Sequence, residues 1–285
     1  MGQARPSVLN SDVRDVLFVV LVACGAISTF LFFTHRPRES HRDLEQRAQL
    51  NAMNVAIELF VSEFDSYPPS DANDPAGRPY GGAMKLTEAV MGQDLLGFHI
   101  KSVYRADGLD PNGLMPLYPP TPDQANLRSR KGPYLQAENA NAWRLVDIYG
   151  KGNTGPFPET AFVLCDPYAR VRPSGERTGM PILYYRADSS GTAHDVGTPD
   201  NPQNIYHYRD NHALVLLGVP GQPGATHPLA DPKRFYLNTQ DRKTSSSQRP
   251  APVRPDTFIL ISACADGLYG TADDICNFDW KYCER

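Results

Sequence analysis

Residues 16–33 read VLFVVLVACGAISTFLFF, eighteen positions without a charge, and residues 38–64 read RESHRDLEQRAQLNAMNVAIELFVSEF. The fold class turns on these two stretches. At about 1.5 Å rise per residue the first would span about 27 Å as a helix, close to the hydrocarbon thickness of a bilayer. A cleaved secretory signal has a shorter core, about 7–15 residues, ahead of a small-residue cleavage site; this run continues through Phe30 to Phe33 and then meets His35 and Arg36. Leu21-Val22-Ala23-Cys24-Gly25 has the form of a lipoprotein signal, yet acylation at Cys24 would leave a second apolar stretch directly behind the lipid. A buried helix of a soluble core would carry more polar interruptions. The expectation is a single membrane span anchored by Val16, Leu17, Phe18, Leu21, Phe30 and Phe33, with a lipid bilayer as partner.

The second stretch has a different pattern. Leu50, Met53, Ile57, Phe60 and Phe64 recur at spacings of three and four, which predicts one apolar stripe on a helix. Arg42, Glu45, Arg47, Glu58 and Glu63 are distributed around it, and Tyr67-Pro68-Pro69-Ser70-Asp71 stops it. Such a stripe requires a sheet to cover.

Composition excludes some functions. With 28 Lys and Arg against 32 Asp and Glu the net charge is -4, so the chain offers no global attraction to nucleic acid. Proline (26) and glycine (22) are abundant enough to predict many turns and long connections. Beyond Cys24 there are Cys165, Cys264, Cys276 and Cys283, which allow three pairings, and free buried thiols are the alternative. No Cys-x-x-Cys pair argues for zinc. Arg36, Arg38 and Arg42 behind the span outnumber Arg5 and Arg14 before it, which taken alone favours a cytoplasmic C-terminal side.

Three segments together carry a family resemblance. They are the apolar-then-amphipathic N-terminal stretch with its Phe64-Asp65-Ser66-Tyr67-Pro68-Pro69 stop, Phe162-Val163-Leu164-Cys165-Asp166-Pro167-Tyr168 with Ile182-Leu183-Tyr184-Tyr185, and Phe258 to Ser262 leading into Asp266-Gly267-Leu268-Tyr269-Gly270-Thr271-Ala272-Asp273-Asp274. The chain resembles the pilin-like pseudopilins of bacterial type II secretion over residues 12–70, 160–187 and 257–279. The resemblance implies an α+β fold, in which a long N-terminal membrane-spanning and amphipathic helix packs on a small antiparallel sheet, with long loop insertions. Its divisions would be a cytoplasmic tip and anchor (1–35), the amphipathic half of the stem (36–66) and a periplasmic domain (67–285) with insertions at about 71–160 and 188–255. It implies a non-enzymatic structural subunit at the bacterial inner membrane, with like subunits or other secretion components as partners. It also implies calcium in the acidic loop, on Asp266, Asp273 and Asp274. The chain departs from the family in its leader: no leader-ending glycine stands just before the span, and the nearest equivalent cut falls after Asn10, making Ser11 first and Asp15 the assembly acid.

Read from its own residues, the acidic loop offers carboxylates and glycines in the mixture a hard cation takes up, though it is not an EF-hand. A solvated turn capped by its own Asp side chains is the other reading. Cys264 and Cys276 bracket the loop, and a disulfide between them would close it. In the insertions, Met84, Leu86, Ala89, Val90 and Leu95 predict a helix between Gly81-Gly82 and Gly97; residues 141–149 and 214–219 read as strands. His207 and His212 in Tyr206-His207-Tyr208-Arg209-Asp210-Asn211-His212 are the densest candidate for a hydrolase, the third reading behind a structural subunit and a membrane-anchored binding module. No motif with a mechanism supports catalysis.

Overall fold

A computed structural model describes residues 41–241, 243–245 and 250–279. The chain divides into two compact units, residues 1–44 and 45–285. In the smaller unit the described residues, 41–44, are helical. The larger unit opens on helix α1, residues 45–64.

Helix α1 buries Leu50, Met53, Ile57 and Phe60 of the predicted stripe, with Ala56 beside them, while Phe64 at its end is only partly buried. It ends where Asp65 turns to φ 57°, its N–H donating to the Val61 carbonyl, ahead of the two prolines that cannot continue a helix. Its apolar face lies on a three-stranded antiparallel sheet, β7 (Leu183–Arg186), β8 (Phe258–Ser262) and β9 (Ile275–Cys276), in that order. Successive strand residues face opposite sides. Tyr184, Phe258, Leu260 and Ile275 meet α1. Leu183, Tyr185, Ile259 and Ile261 point the other way, into a second cluster with helices α6 (Arg209–Val215) and α7 (Pro232–Asn238). Coverage on both faces explains why β8 is apolar at Phe258, Ile259, Leu260 and Ile261 without alternation, and all five of its residues are buried.

Helix α2 (Gly82–Met91) is buried at every position. A Cβ at Gly81 would stand 2.4 Å from the Asp210 carbonyl oxygen, and one at Gly82 would stand 2.1 Å from that of Tyr184, so only glycine fits there. The remaining strands are short: β1 (Phe98–His99) pairs with β2 (Arg130–Lys131), β3 (Ala142–Arg144) with β4 (Phe162–Leu164), and β5 (Arg170–Val171) with β6 (Arg177–Thr178). Helices α3 (Gln124–Arg128), α4 (Ala137–Ala140) and α5 (Leu145–Tyr149) join them.

These facts correct the expected fold class. Among the described residues no helix is long and apolar enough to cross a membrane, and β-structure is divided among four small antiparallel sheets instead of one. The reason is local: α1 carries Arg47, Glu58 and Glu63 on its outer surface, and prolines and glycines cut the sheet into strands of two to five residues. The run at 16–33, with the anchor residues Val16 to Phe33 and the assembly acid Asp15, lies outside the described residues. Two element expectations also change. Residues 141–149 split into β3 and α5, and Leu214 and Val215 belong to α6, not to a strand.

Candidate functional site

The acidic loop hangs between β8 and β9. Asp266 Oδ1 accepts the Leu268 N–H at 2.7 Å, Asp273 Oδ2 accepts the Asp266 N–H at 3.1 Å, and Asp274 Oδ2 accepts the Gly270 N–H at 2.7 Å. Thr271 Oγ1 stands 2.6 Å from Asp273 Oδ1 and 3.2 Å from Asp274 Oδ1. Gly267 and Gly270 take φ 74° and 94°, a region side chains avoid, and a Cβ at Gly270 would press on the Leu229 N–H at 2.9 Å. Burial raises the pKa of Asp266, with the neighbouring Asp273 charge adding to it, and burial pushes Asp274 well up. The loop is thus a self-capped turn in which like charges crowd.

Its oxygens are of the kind a hard cation takes, carboxylates beside backbone carbonyls and a threonine hydroxyl. Among the described residues, no three His, Cys, Asp or Glu side chains form a group that could hold a metal ion by themselves.

The expected Cys264–Cys276 bridge is corrected: Cys165, Cys264 and Cys276 are free, buried thiols. Cys264 leaves β8 with φ 48°, and its Sγ lies 3.4 Å from Ser262 Oγ. Burial raises both thiol pKa values, which keeps them protonated and inert.

Among the described residues, the histidines join no group of three His, Cys, Asp or Glu that could hold a metal ion. His194 is buried, its Nε2 2.7 Å from the Tyr236 carbonyl, and burial pushes its pKa down to about 4. His207 Nε2 is 3.8 Å from Asp188, whose Oδ1 is taken by the Ser190 N–H and hydroxyl. His212 stacks edge-on against Tyr208. The segment around His207 and His212 does structural work through its neighbours: Asn211 accepts the Ala83 N–H at 2.8 Å, capping α2 from a distance, and donates to the Tyr184 carbonyl at 2.6 Å. Asp210 beside it accepts from Ser70 Oγ.

A buried polar centre had no sequence signal. Glu88, fully buried on α2, accepts from Tyr80 at 2.8 Å, Gln93 and Tyr118 at 2.9 Å each, and Ser102 at 2.5 Å. Lys85, one turn earlier, donates to the Asp71 and Asn73 carbonyls, both at 2.8 Å. In Lys85-Leu86-Thr87-Glu88 these charges look like a solvated helix face; only the loop folded over them shows otherwise.

Compared with known proteins, this chain matches no family model, no curated protein and no solved structure.

Proposed function

We propose that this chain is a non-enzymatic structural subunit of a pilus-type or type II secretion-type assembly, working at the periplasmic face of a bacterial inner membrane. The observation that carries the reading is the two-sidedness of α1. One face is sealed on the sheet, while Val55 and Leu59, four residues apart, stay 60% and 47% exposed on the other. Apolar side chains in register on an exposed helix face suit a neighbouring subunit. With a photo-crosslinking residue at position 55 or 59 of the full chain in its native membrane, the expected result is a ladder of adducts with copies of itself or with assembly components, weakened by Leu59→Asp. Monomer alone from both positions would overturn the proposal.

The acidic loop enters this reading as a calcium-steadied clasp at the end of the sheet, supported by the crowding of Asp266 against Asp273. An ion that binds only the folded chain stabilises it by about 2.7 kcal/mol at a hundredfold excess over its Kd. Calcium is therefore expected to raise the Tm of the full chain by several degrees, and EDTA to reverse the rise. An unchanged Tm removes calcium and leaves the assembly reading intact.

A further inference from the structure

Half of the large apolar side chains left exposed among the described residues fall in one short part of the chain: Leu96, Ile100, Leu114, Met115 and Leu127. Leu114 is the most exposed of them, at 79%, and Met115 beside it stands at 64%. Single apolar residues on a surface need no explanation, but these are neighbours in space. The Asn126 side-chain amide donates to the Leu117 carbonyl at 3.1 Å, and the Ile100 N–H donates to that of Ser129 at 3.1 Å. The turn that carries Leu114 and Met115, helix α3 with Leu127, and Ile100 at the end of β1 therefore adjoin.

The turn is held firmly. Leu109 and Pro116 form an antiparallel bridge, the Asp110 N–H donates to the Met115 carbonyl, and the Gly113 N–H donates to that of Asp110, both at 2.8 Å. Asp110 Oδ1 accepts the Leu114 and Met115 N–H groups at 2.8 and 3.1 Å. Two apolar side chains are thus held out in water by a preformed loop, and burying them against a partner costs little further ordering.

Charge says what kind of partner fits. In a chain of net charge -4, residues 96–131 hold five Lys and Arg against three Asp. All three acids are occupied: Asp107 by Arg78 and Arg105, Asp110 by the turn, and Asp123 by the Asn126 N–H at the start of α3. Lys101, next to Ile100, and Arg128, next to Leu127, are exposed, and among the described residues their side chains form no ion pair. Apolar tips beside unpaired cations match the interface of an anionic bilayer, where the tips enter the acyl boundary and the cations meet headgroup phosphates. Lipid is fluid and accepts separate tips with cations between them, whereas a folded protein would have to present a matching pocket for each.

We propose that the surface formed by the Leu114–Met115 turn, Leu127 and Ile100 docks on an anionic phospholipid bilayer, with Lys101 and Arg128 on its headgroups. This contact goes beyond the assembly reading and needs no second copy of the chain.

The test places the full chain in vesicles of phosphatidylcholine, with or without phosphatidylglycerol, and follows tryptophan emission with brominated phospholipids as quenchers. Leu114→Trp is the reporter. Val171→Trp, at a 66% exposed position in β5 outside the patch, is the control, and the wild type with Trp143 and Trp280 gives the background. On phosphatidylglycerol vesicles the reporter is expected to shift to the blue and to be quenched, and the control to do neither. Each cation near an anionic surface contributes about a fivefold factor, so Lys101→Gln with Arg128→Gln should lower the docked-to-free ratio about thirtyfold. Met115→Asp in the reporter chain should abolish the quenching and leave Tm unchanged, because the side chain it replaces stands in solvent. No quenching of the reporter on either vesicle, equal quenching on both, or equal quenching of reporter and control overturns the proposal. A blue shift without quenching would mark a protein contact at the turn and overturn it equally. Crosslinks from positions 55 and 59 are read separately, so failure here leaves the assembly reading standing.

Discussion

Ile57→Asp is expected to abolish cooperative unfolding of the larger unit. Ile57 is 0% exposed and packs, with Leu50, Met53 and Ala56, in the cluster that holds Tyr184, Phe258 and Leu260. Truncating a buried aliphatic side chain of this size costs about 2–5 kcal/mol. The introduced carboxylate faces an apolar sheet with no cation beside it, and an unpaired buried charge costs several kcal/mol more. Together these match or exceed the whole stability of an ordinary domain, about 5–15 kcal/mol. Val55→Asp, two residues away on the exposed face, should shift Tm by no more than a few degrees. Guanidinium unfolding followed by near-ultraviolet circular dichroism distinguishes them. A sigmoidal transition at the wild-type midpoint in Ile57→Asp would show that α1 is not part of the core.

The second large effect is a pH dependence centred on Asp166. This carboxyl is fully buried two residues beyond the end of β4, and burial raises its pKa to about 7. Its hydrogen bonds, from the Tyr168 and Met180 N–H groups and from Ser262 Oγ, are 3.1–3.3 Å long and only partly offset that rise. A raised acid favours the fold while protonated. Its contribution is complete below the unfolded value near 3.8 and is lost as pH rises through about 7. Roughly three pH units at about 1.4 kcal/mol each give about 4 kcal/mol. Asp210 and Asp274, also pushed up by burial, act with the same sign, whereas His194 and His227, held near 4, lose stability as pH falls from 6.5. The difference between wild type and Asp166→Asn isolates the one group. Wild-type stability should fall relative to the variant by several kcal/mol between pH 4 and 7.5. A flat difference curve would mean that Asp166 is ionised throughout and paired more strongly than burial opposes.

Several elements were legible from residue order because their determinants are local. The three-and-four spacing of Leu50 to Phe60 becomes the buried face of α1, and Pro68-Pro69 follows its end. Gly81-Gly82 marks the start of α2. The acidic loop was legible too, since its carboxylates, glycines and Thr271 bond one another within a few residues. Leu214 to Val219 misled because a short apolar run suits strand and helix alike. Helix wins there because Asn211 must reach the N-terminus of α2 while Leu214 and Val215 enter the core and Leu216 stays exposed.

Residue order alone therefore specified the periodicities, the turn chemistry and the charge pattern, all of which act over one or two turns of chain. Tertiary folding decided which of those features became interior. It sealed β8 on both faces, buried Glu88 among four donors, left Cys165, Cys264 and Cys276 as thiols, and set Tyr149 and His227 on one cavity although they are far apart in the chain. The physical reason is that burial and hydrogen-bond satisfaction depend on which distant groups meet, and no local pattern encodes that meeting.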